Sequence, residues 1–500
     1  MKTGQFKLLI GMSILAAVFM PNGMAAQDNP SQDPKPKHKK YALIDLGTFG
    51  GPNSYPIVVE SVQTLSQTGV VAGCAETPLP NPKYPNFNFA LFPPPEPDPL
   101  IAHAFQSHDG SLTDLGALPG ANSSCALWIS DNGLIAGASE NGLIDPLTGW
   151  PEIEPLLWKN KHVTRLGGLG GNEAFPISVN NRGQVVGAAT NNVPEDNGFG
   201  TQLRAFLWEN GVMRDLGTLP GGTDAFAVIV NDRGQVMGTS TASPQSGSMF
   251  LWENGRMRPI PNTLGGTLEN PFYMNNQTMI LGNASIAGDT AFHPFIWYRG
   301  VMTDIGTFGG DNGDAVWVND AGQVAGSADF PGDIIHHAFL WQRGAKIDLG
   351  TVNGDSCSRA FAINSSGQVV GTSSDCVAAK SAVLWERGTA VDLNQVVKSG
   401  SDLTLIRAWN INDRGEIVAE GLLSNGDEHA ALLIPDGDCD GETETRIAAS
   451  QQRVAAERAA NVQYPATAQR ADSPVTPIER IRGMMRQPYH LPGQPAGPRD

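Results

Sequence analysis

Six tryptophans recur along this chain at a near-constant interval. Trp158, Trp208, Trp252, Trp297, Trp341 and Trp385 are separated by 50, 44, 45, 44 and 44 residues. Self-similarity at this period marks a copied supersecondary unit that buries its apolar face against the next copy. Aligned on tryptophan, residues 214–252 read RDLGTLPGGTDAFAVIVNDRGQVMGTSTASPQSGSMFLW, and residues 303–341 read TDIGTFGGDNGDAVWVNDAGQVAGSADFPGDIIHHAFLW. Eight units follow, beginning near Asp45, Asp114, Arg165, Asp215, Pro259, Asp304, Asp348 and Asp392.

Each unit holds four short strand candidates, rich in β-branched and aromatic residues. They are the segment before Asp-Leu-Gly, an apolar run ending in Asn, a Gln-Val-Val-Gly segment and an Ala-Phe-Leu-Trp segment. Asn-Asp-Arg-Gly (231–234) and its counterparts join the second strand to the third. Asn or Asp opens such a turn and Gly supplies the positive φ that closes it. Glu-Asn-Gly (209–211, 253–255) joins the fourth strand to the first of the following unit, a strong hairpin signal. A lone four-stranded antiparallel sheet leaves both faces wet, and radial stacking of copies covers them and leaves only short edges. The expected fold is therefore all-β, a β-propeller of eight four-stranded blades. A seven-bladed ring with one divergent unit and an open solenoid are the alternatives. Gly and Pro together make up 94 of 500 residues, which excludes a helical bundle or coiled coil.

These units resemble the HAF repeat family of bacterial extracellular proteins. The tripeptide stands as His103-Ala104-Phe105 and His337-Ala338-Phe339, with variants at Arg204-Ala205-Phe206, His293-Pro294-Phe295 and His429-Ala430-Ala431. Leu46–Gly51 and Leu216–Gly222 match the family's Leu-Gly-Thr-Leu-Gly-Gly-like element, and residues 363–371 its Ile-Asn-x-x-Gly-Gln-Val-Val-Gly element. The resemblance spans about 41–435 and implies an exported repeat protein, with no established activity or catalytic residue. Two units depart from the pattern. One has Ser107 in place of Trp, and another carries Pro259-Ile-Pro261 and a weak strand around Met279–Gly282.

The ends have a different character. Lys2 and Lys7 precede an uncharged apolar run, Leu8–Met20, and Met24-Ala25-Ala26 offers small residues for cleavage. Residues 1–26 read as a secretory signal peptide, too short in its apolar part for the ~20 residues of a spanning helix. Residues 27–40 read as a disordered leader. With the signal removed, the expected location is extracellular or periplasmic, with no transmembrane span. Residues 445–500 carry eight Arg against four acidic residues and read as a basic, Pro-rich, mostly disordered tail. The whole chain has a net charge of −17, and both ends are basic, so the repeat region is strongly acidic. Such a body makes nucleic acid a poor partner, because phosphate contacts need Lys and Arg.

Chemistry-bearing residues are few. His103, His293, His337 and His429 share one repeat position, held elsewhere by Glu154, Arg204, Ser248 and Ser381. Residues one repeat apart fall in different blades, so structural hydrogen bonding is expected there. Residues 436–444 form an acidic loop in which Asp436, Asp438, Asp440 and Glu444 have the alternation by which short loops wrap calcium. Position 12 of that loop is Ile447, which rejects an EF-hand. The alternative is a solvated acidic linker. Cys357 and Cys376 flank the second and third strands of one unit and are candidates for a disulfide in an exported chain. Cys74, Cys125 and Cys439 remain, and no zinc spacing occurs. There is no G-x-S-x-G, H-E-x-x-H or P-loop motif.

Unequal insertions give the clearest functional signal. Successive antiparallel turns alternate between the two edges of a sheet, so the short turns share one face and the long loops the other. The long loops are 75–102, 138–154 and 188–204, and the first carries Tyr84, Phe87, Phe89 and Phe92. Loops on rigid scaffolds often carry binding, and clustered aromatics suit protein or sugar contact. The expectation is a secreted, non-enzymatic module that binds a protein or glycan through this face. An envelope-polysaccharide hydrolase or lyase on the same ring and a structural or adhesive surface protein are the alternatives.

Overall fold

Hairpins joined by two- to four-residue turns must pair with their chain neighbours, and every principal strand but Tyr41–Asp45 pairs with one. In the computed structural model, residues 38–436 are described apart from 57–60, 83–98, 109, 121, 148, 150, 161, 196–199, 244–245 and 399–401, together with 445, 448 and 452. Eight four-stranded antiparallel sheets form an eight-bladed β-propeller within the unit Lys39–Asp500. Of the preceding unit, Met1–His38, only His38 is described.

Blade 1 runs from Ser54 to Gly116, blade 2 from Ser124 to Arg165, blade 3 from Ala174 to Asp215 and blade 4 from Ala225 to Pro259. Blade 5 runs from Gly265 to Asp304, blade 6 from Gly313 to Asp348 and blade 7 from Cys357 to Asp392. Blade 8 takes three strands from Thr404–Pro435, and its fourth is the N-terminal strand Tyr41–Asp45, paired from Tyr41↔Pro435 to Asp45↔Ala431. The repeat is therefore out of phase with the blade by one strand. The segment before Asp-Leu-Gly, read from sequence as the start of a unit, is the outermost strand of the preceding blade. The Glu-Asn-Gly hairpin forces this, as in Glu209↔Val212. The phase shift closes the ring by making the two ends of the repeat region share a sheet.

In blades 1, 4 and 6 the second strand's glycine answers two constraints. The inner strand is bulged, for example between Ala227 and Ile229, which pushes a carbonyl toward the second strand. A Cβ at Gly238 would fall on the Phe226 carbonyl oxygen and against the Phe250 ring, and Gly73 and Gly326 have the same neighbours in their blades. The family phenylalanines lie opposite the second-strand glycines and are fully buried: Phe105, Phe206, Phe250, Phe295 and Phe339. Blade 8 is the exception on both sides of the pair, with Ala419 opposite Ala431, and its inner strand has an additional register shift between Leu405 and Arg407. The weak strand around Met279 forms in full as Ile280–Ile286. Its turn ends in Thr278 at φ 63°, where Gly234 and Gly322 take φ 79° and 75°.

Candidate functional site

The repeated Asn-x-x-Gly-Gln turns join into a belt around the channel. Each asparagine side chain holds its own turn closed, as Asn319 Oδ1 accepts from the amides of Ala321 and Gln323 at 3.1 and 3.0 Å. Its amide nitrogen donates forward, to Gln323 Oε1 at 2.8 Å and to the carbonyl of Asn364 in the next blade at 2.9 Å. The same donation runs from Asn180 to Asn231, Asn231 to Asn275, Asn275 to Asn319 and Asn364 to Asn412, and Asn412 reaches Ser66 of blade 1. Replacing Asn319 by alanine removes four hydrogen bonds and leaves buried backbone groups unpaired. We expect a loss of about 2–3 kcal/mol in denaturant unfolding.

Inside this belt the channel opens into a cavity of about 260 Å³ lined by all eight blades. Its floor includes Trp128, Tyr273 and Trp317, the last two stacked at 4.2 Å between centroids. Its rim is the second residue of each turn: Gln67, Asp131, Asn181, Asp232, Asn276, Asp320, Ser365 and Asp413. Burial, followed by the charges of Asp131, Asp320 and Asp232, pushes the Tyr273 hydroxyl well above its ordinary range.

The opposite face is shaped by three arms. The second strands of blades 1, 2 and 3 (Val71–Pro80, Ile135–Ile144, Val185–Pro194) are ten residues long, against six in blades 6 to 8 (Val324–Asp329, Val369–Ser374, Ile417–Leu422). Each arm shifts register as it leaves its sheet, between Glu76/Pro80, Glu140/Ile144 and Thr190/Pro194. Amides hold the arms together, Asn141 donating to Glu152 at 3.0 Å and Asn191 to Gln202 at 3.1 Å. Their outer strand residues present apolar side chains to solvent: Leu79, Leu143, Ile144 and Val193, with Leu147 in the adjoining loop, are 44–60% exposed. A groove of about 230 Å³ lies between the second and third arms, lined by Asp145, Leu147, Asn172, Thr190, Asn191 and Thr201 among others.

One level of the inner strands breaks the repeat's symmetry. Equivalent positions hold Tyr55, Cys125, Phe175 and Phe226 in blades 1 to 4, but Asn270, Asp314, Arg359 and Arg407 in blades 5 to 8. Their second-strand partners follow suit, with Asn283, Ser327, Thr372 and Glu420 in the polar half. Asn283 accepts from Asn270 at 2.9 Å and donates to Asp314 at 2.5 Å, and Glu420 accepts from Arg407 and from Trp409 at 2.7 and 2.9 Å. Burial, aided by Asp333, raises the nearby Asp329 carboxyl to about 7, and burial with the Arg359 charge lowers His336 to about 4. Sequence inspection missed this set. The available signal was the run of polar residues interrupting an apolar strand in four successive units.

The residues singled out from sequence fall in several places. Tyr84, Phe87, Phe89 and Phe92 lie outside the described residues, as do Asp438, Asp440 and Glu444. Asp436 pairs with Lys398 at 2.8 Å. Cys357 is bonded to Cys376 and Cys74 to Cys125, each with Cα atoms 5.0 Å apart. The shared histidines each meet the aspartate of Asp-Leu-Gly on the neighbouring strand: His103–Asp114, His293–Asp304, His337–Asp348 and His429–Asp45, at 2.8–3.0 Å. The same aspartates cap the following turn, as Gly116 and Gly306 donate to Asp114 and Asp304 at 2.6 Å. Burial alone would raise the Asp114 and Asp304 carboxyls. The hydrogen bond and charge of the histidine, with the glycine amide, outweigh it and hold them below their ordinary value. In blade 2 the pair is reversed, Glu154 accepting from Arg165. Among the described residues no group of three or more His, Cys, Asp or Glu side chains is placed to hold a metal ion.

Fold and site thus define an eight-bladed β-propeller with a polar-rimmed channel and three arms on one face. No protein-family model matches the chain, and no curated protein matches it. Among solved structures, TolB from Acinetobacter baumannii is similar at 10% identity and a TM-score of 0.29, over 57% of this chain and 76% of that one. A gluconolactonase from Xanthomonas campestris is similar at 13% identity and a TM-score of 0.26, over 64% and 92%. A lectin from Aleuria aurantia is similar at 12% identity and a TM-score of 0.24, over 51% and 90%. Among the described residues no helix is long and apolar enough to cross a membrane.

Proposed function

We propose that this chain is an exported, non-enzymatic binding module of the HAF repeat kind, which engages a protein or glycan outside the cytoplasm through its arm-bearing face. The observation that carries this is the set of exposed apolar side chains on three adjacent arms, Leu79, Leu143, Ile144 and Val193, beside the groove between arms 2 and 3. Exposed apolar residues on neighbouring arms lie outside the ring's own core and suit recognition. The leader sequence and the two disulfides favour an oxidising compartment.

The test is a pull-down with the immobilised mature protein from cell-envelope polymers and secreted proteins. Beside it runs the variant Leu143→Ser/Ile144→Ser/Val193→Ser, whose changes lie on exposed positions. A partner retained by the parent and lost, about tenfold or more, by the variant supports the module. Unchanged capture by the variant, or a shortened polymer in the supernatant, overturns it, the latter in favour of a hydrolase or lyase.

A further inference from the structure

The cavity inside the turn belt lies at the other end of the channel from the arms, and the arms do not use it. Its chemistry is one-sided. Four carboxylates, Asp131, Asp232, Asp320 and Asp413, stand on alternate blades, and no Lys or Arg is among its lining residues. Between them stand Asn181, Asn276, Ser365 and Gln67. Belt closure accounts for part of this set: Asp232 accepts from Asn181 and Asn276 at 2.9 and 3.0 Å, Asp131 from Gln63 at 2.8 Å, and Asp413 from the Ser365 amide at 2.8 Å. It does not account for Asp320, whose exposed carboxylate meets no donor among the described residues although it occupies the same rim position.

The floor is a separate anomaly. Two residues before the turn asparagine, blades 3, 4 and 7 carry Ser178, Ile229 and Ala362, which satisfy the fold without a ring. Tyr273 and Trp317 nevertheless fill that position in blades 5 and 6, stacked on each other and still partly exposed at the cavity they line. Trp128 stands at the equivalent place in blade 2. The stacked rings below and the carboxylates above complement an organic cation, because π-electron density and rim charge both favour positive charge. A bare metal ion fits poorly, since the rim carboxylates are not grouped as ligands. An anion meets four carboxylates and no cationic side chain.

We propose that this cavity binds an organic ammonium cation. The ammonium head sits over the Tyr273–Trp317 stack, and the rim carboxylates hold its charge across the cavity. The site is independent of the arm-bearing face.

Tetramethylammonium is the probe, titrated into the full chain at low ionic strength with tryptophan fluorescence as the readout, and tert-butanol is the neutral control of similar shape. A saturable change with tetramethylammonium and none with tert-butanol is expected. Asp320→Asn should weaken binding about threefold, the order of one charge acting across ~6 Å of aqueous dielectric. Asp320→Asn/Asp413→Asn should weaken it about tenfold, and about 0.5 M NaCl should remove most of it. Circular dichroism checks that each variant is folded; Asp320→Asn breaks no side-chain hydrogen bond among the described residues. The Leu143→Ser/Ile144→Ser/Val193→Ser variant should titrate like the parent, which separates this site from the arm-bearing face. Equal response to tert-butanol, equal binding by the double rim variant, or no saturation up to about 100 mM overturns the proposal, the affinity then falling below what cation–π and rim charge together supply.

Discussion

Gly238→Ala is expected to lower the unfolding free energy by about 3 kcal/mol, the upper end of the cost of overpacking a tight core. A single methyl group there has nowhere to go. It would meet the Phe226 carbonyl oxygen, fixed by the bulge of the inner strand, and the Phe250 ring, fully buried behind it. The strand has to move away, and its cross-strand bonds to Ala227 and Phe250 move with it. Blade 8 supplies the control. Ala419 occupies the equivalent position opposite Ala431, so Ala419→Gly removes a methyl group the site already accommodates. It should cost about 1 kcal/mol or less, mainly through backbone entropy. Urea unfolding of the two variants beside the parent separates the effects. Similar losses for both would mean that the glycine marks propensity and not contact.

Much of the architecture was legible because repetition multiplies weak signals. One Val-Val-Gly segment is compatible with many folds, but eight related segments, set between Asn-x-x-Gly-like turns and short Gly-containing hairpins, leave few alternatives to radial stacking. What repetition lacks is an origin. Nothing in the spacing says which of four strands begins a blade, so the pairing of Tyr41–Asp45 with Glu428–Pro435 emerges only in three dimensions. The histidine positions were legible for a related reason. Residues in different blades seldom converge, and each instead meets the aspartate on the adjacent strand of its own blade, 11 residues on in blades 1, 5 and 6 and on the N-terminal strand in blade 8.

The channel was much less legible. Asp131, Asp232, Asp320 and Asp413 each sit in a turn, where aspartate is common for backbone reasons alone. Only when the blades are counted around the axis do they fall on every second one. The polar half of the inner ring is hidden differently. Asn270, Asp314, Arg359 and Arg407 look like isolated breaks in four separate strands, and the propeller places them on four consecutive blades. In both cases the information lies between repeats, at separations that local patterning does not sample.

A second large effect concerns the carboxylates that join one blade to the next. Glu269 stands on the first strand of blade 5, buried, and accepts from the Met249 amide of blade 4 at 3.1 Å. Glu173 and Asp224 do the same for Ile153 and Leu203, one blade earlier each time. Desolvation dominates at both glutamates, so the Glu269 carboxyl rises to about 7 and that of Glu173 rises well above its ordinary value. The sign of the pH dependence follows. Between about pH 4.5 and 7 the folded chain keeps the Glu269 proton while the unfolded chain has released it, so stability falls as pH rises through that window. Below it both states are protonated, and above it both are ionised. Glu269→Gln keeps an oxygen to accept from Met249 and removes the titration. It should match the parent near pH 4 and exceed it by about 2 kcal/mol near pH 8, the order of the linkage for a shift of this size. Urea unfolding across pH 4–8 measures the difference, and a constant offset at every pH would locate the effect in packing instead of in the buried charge.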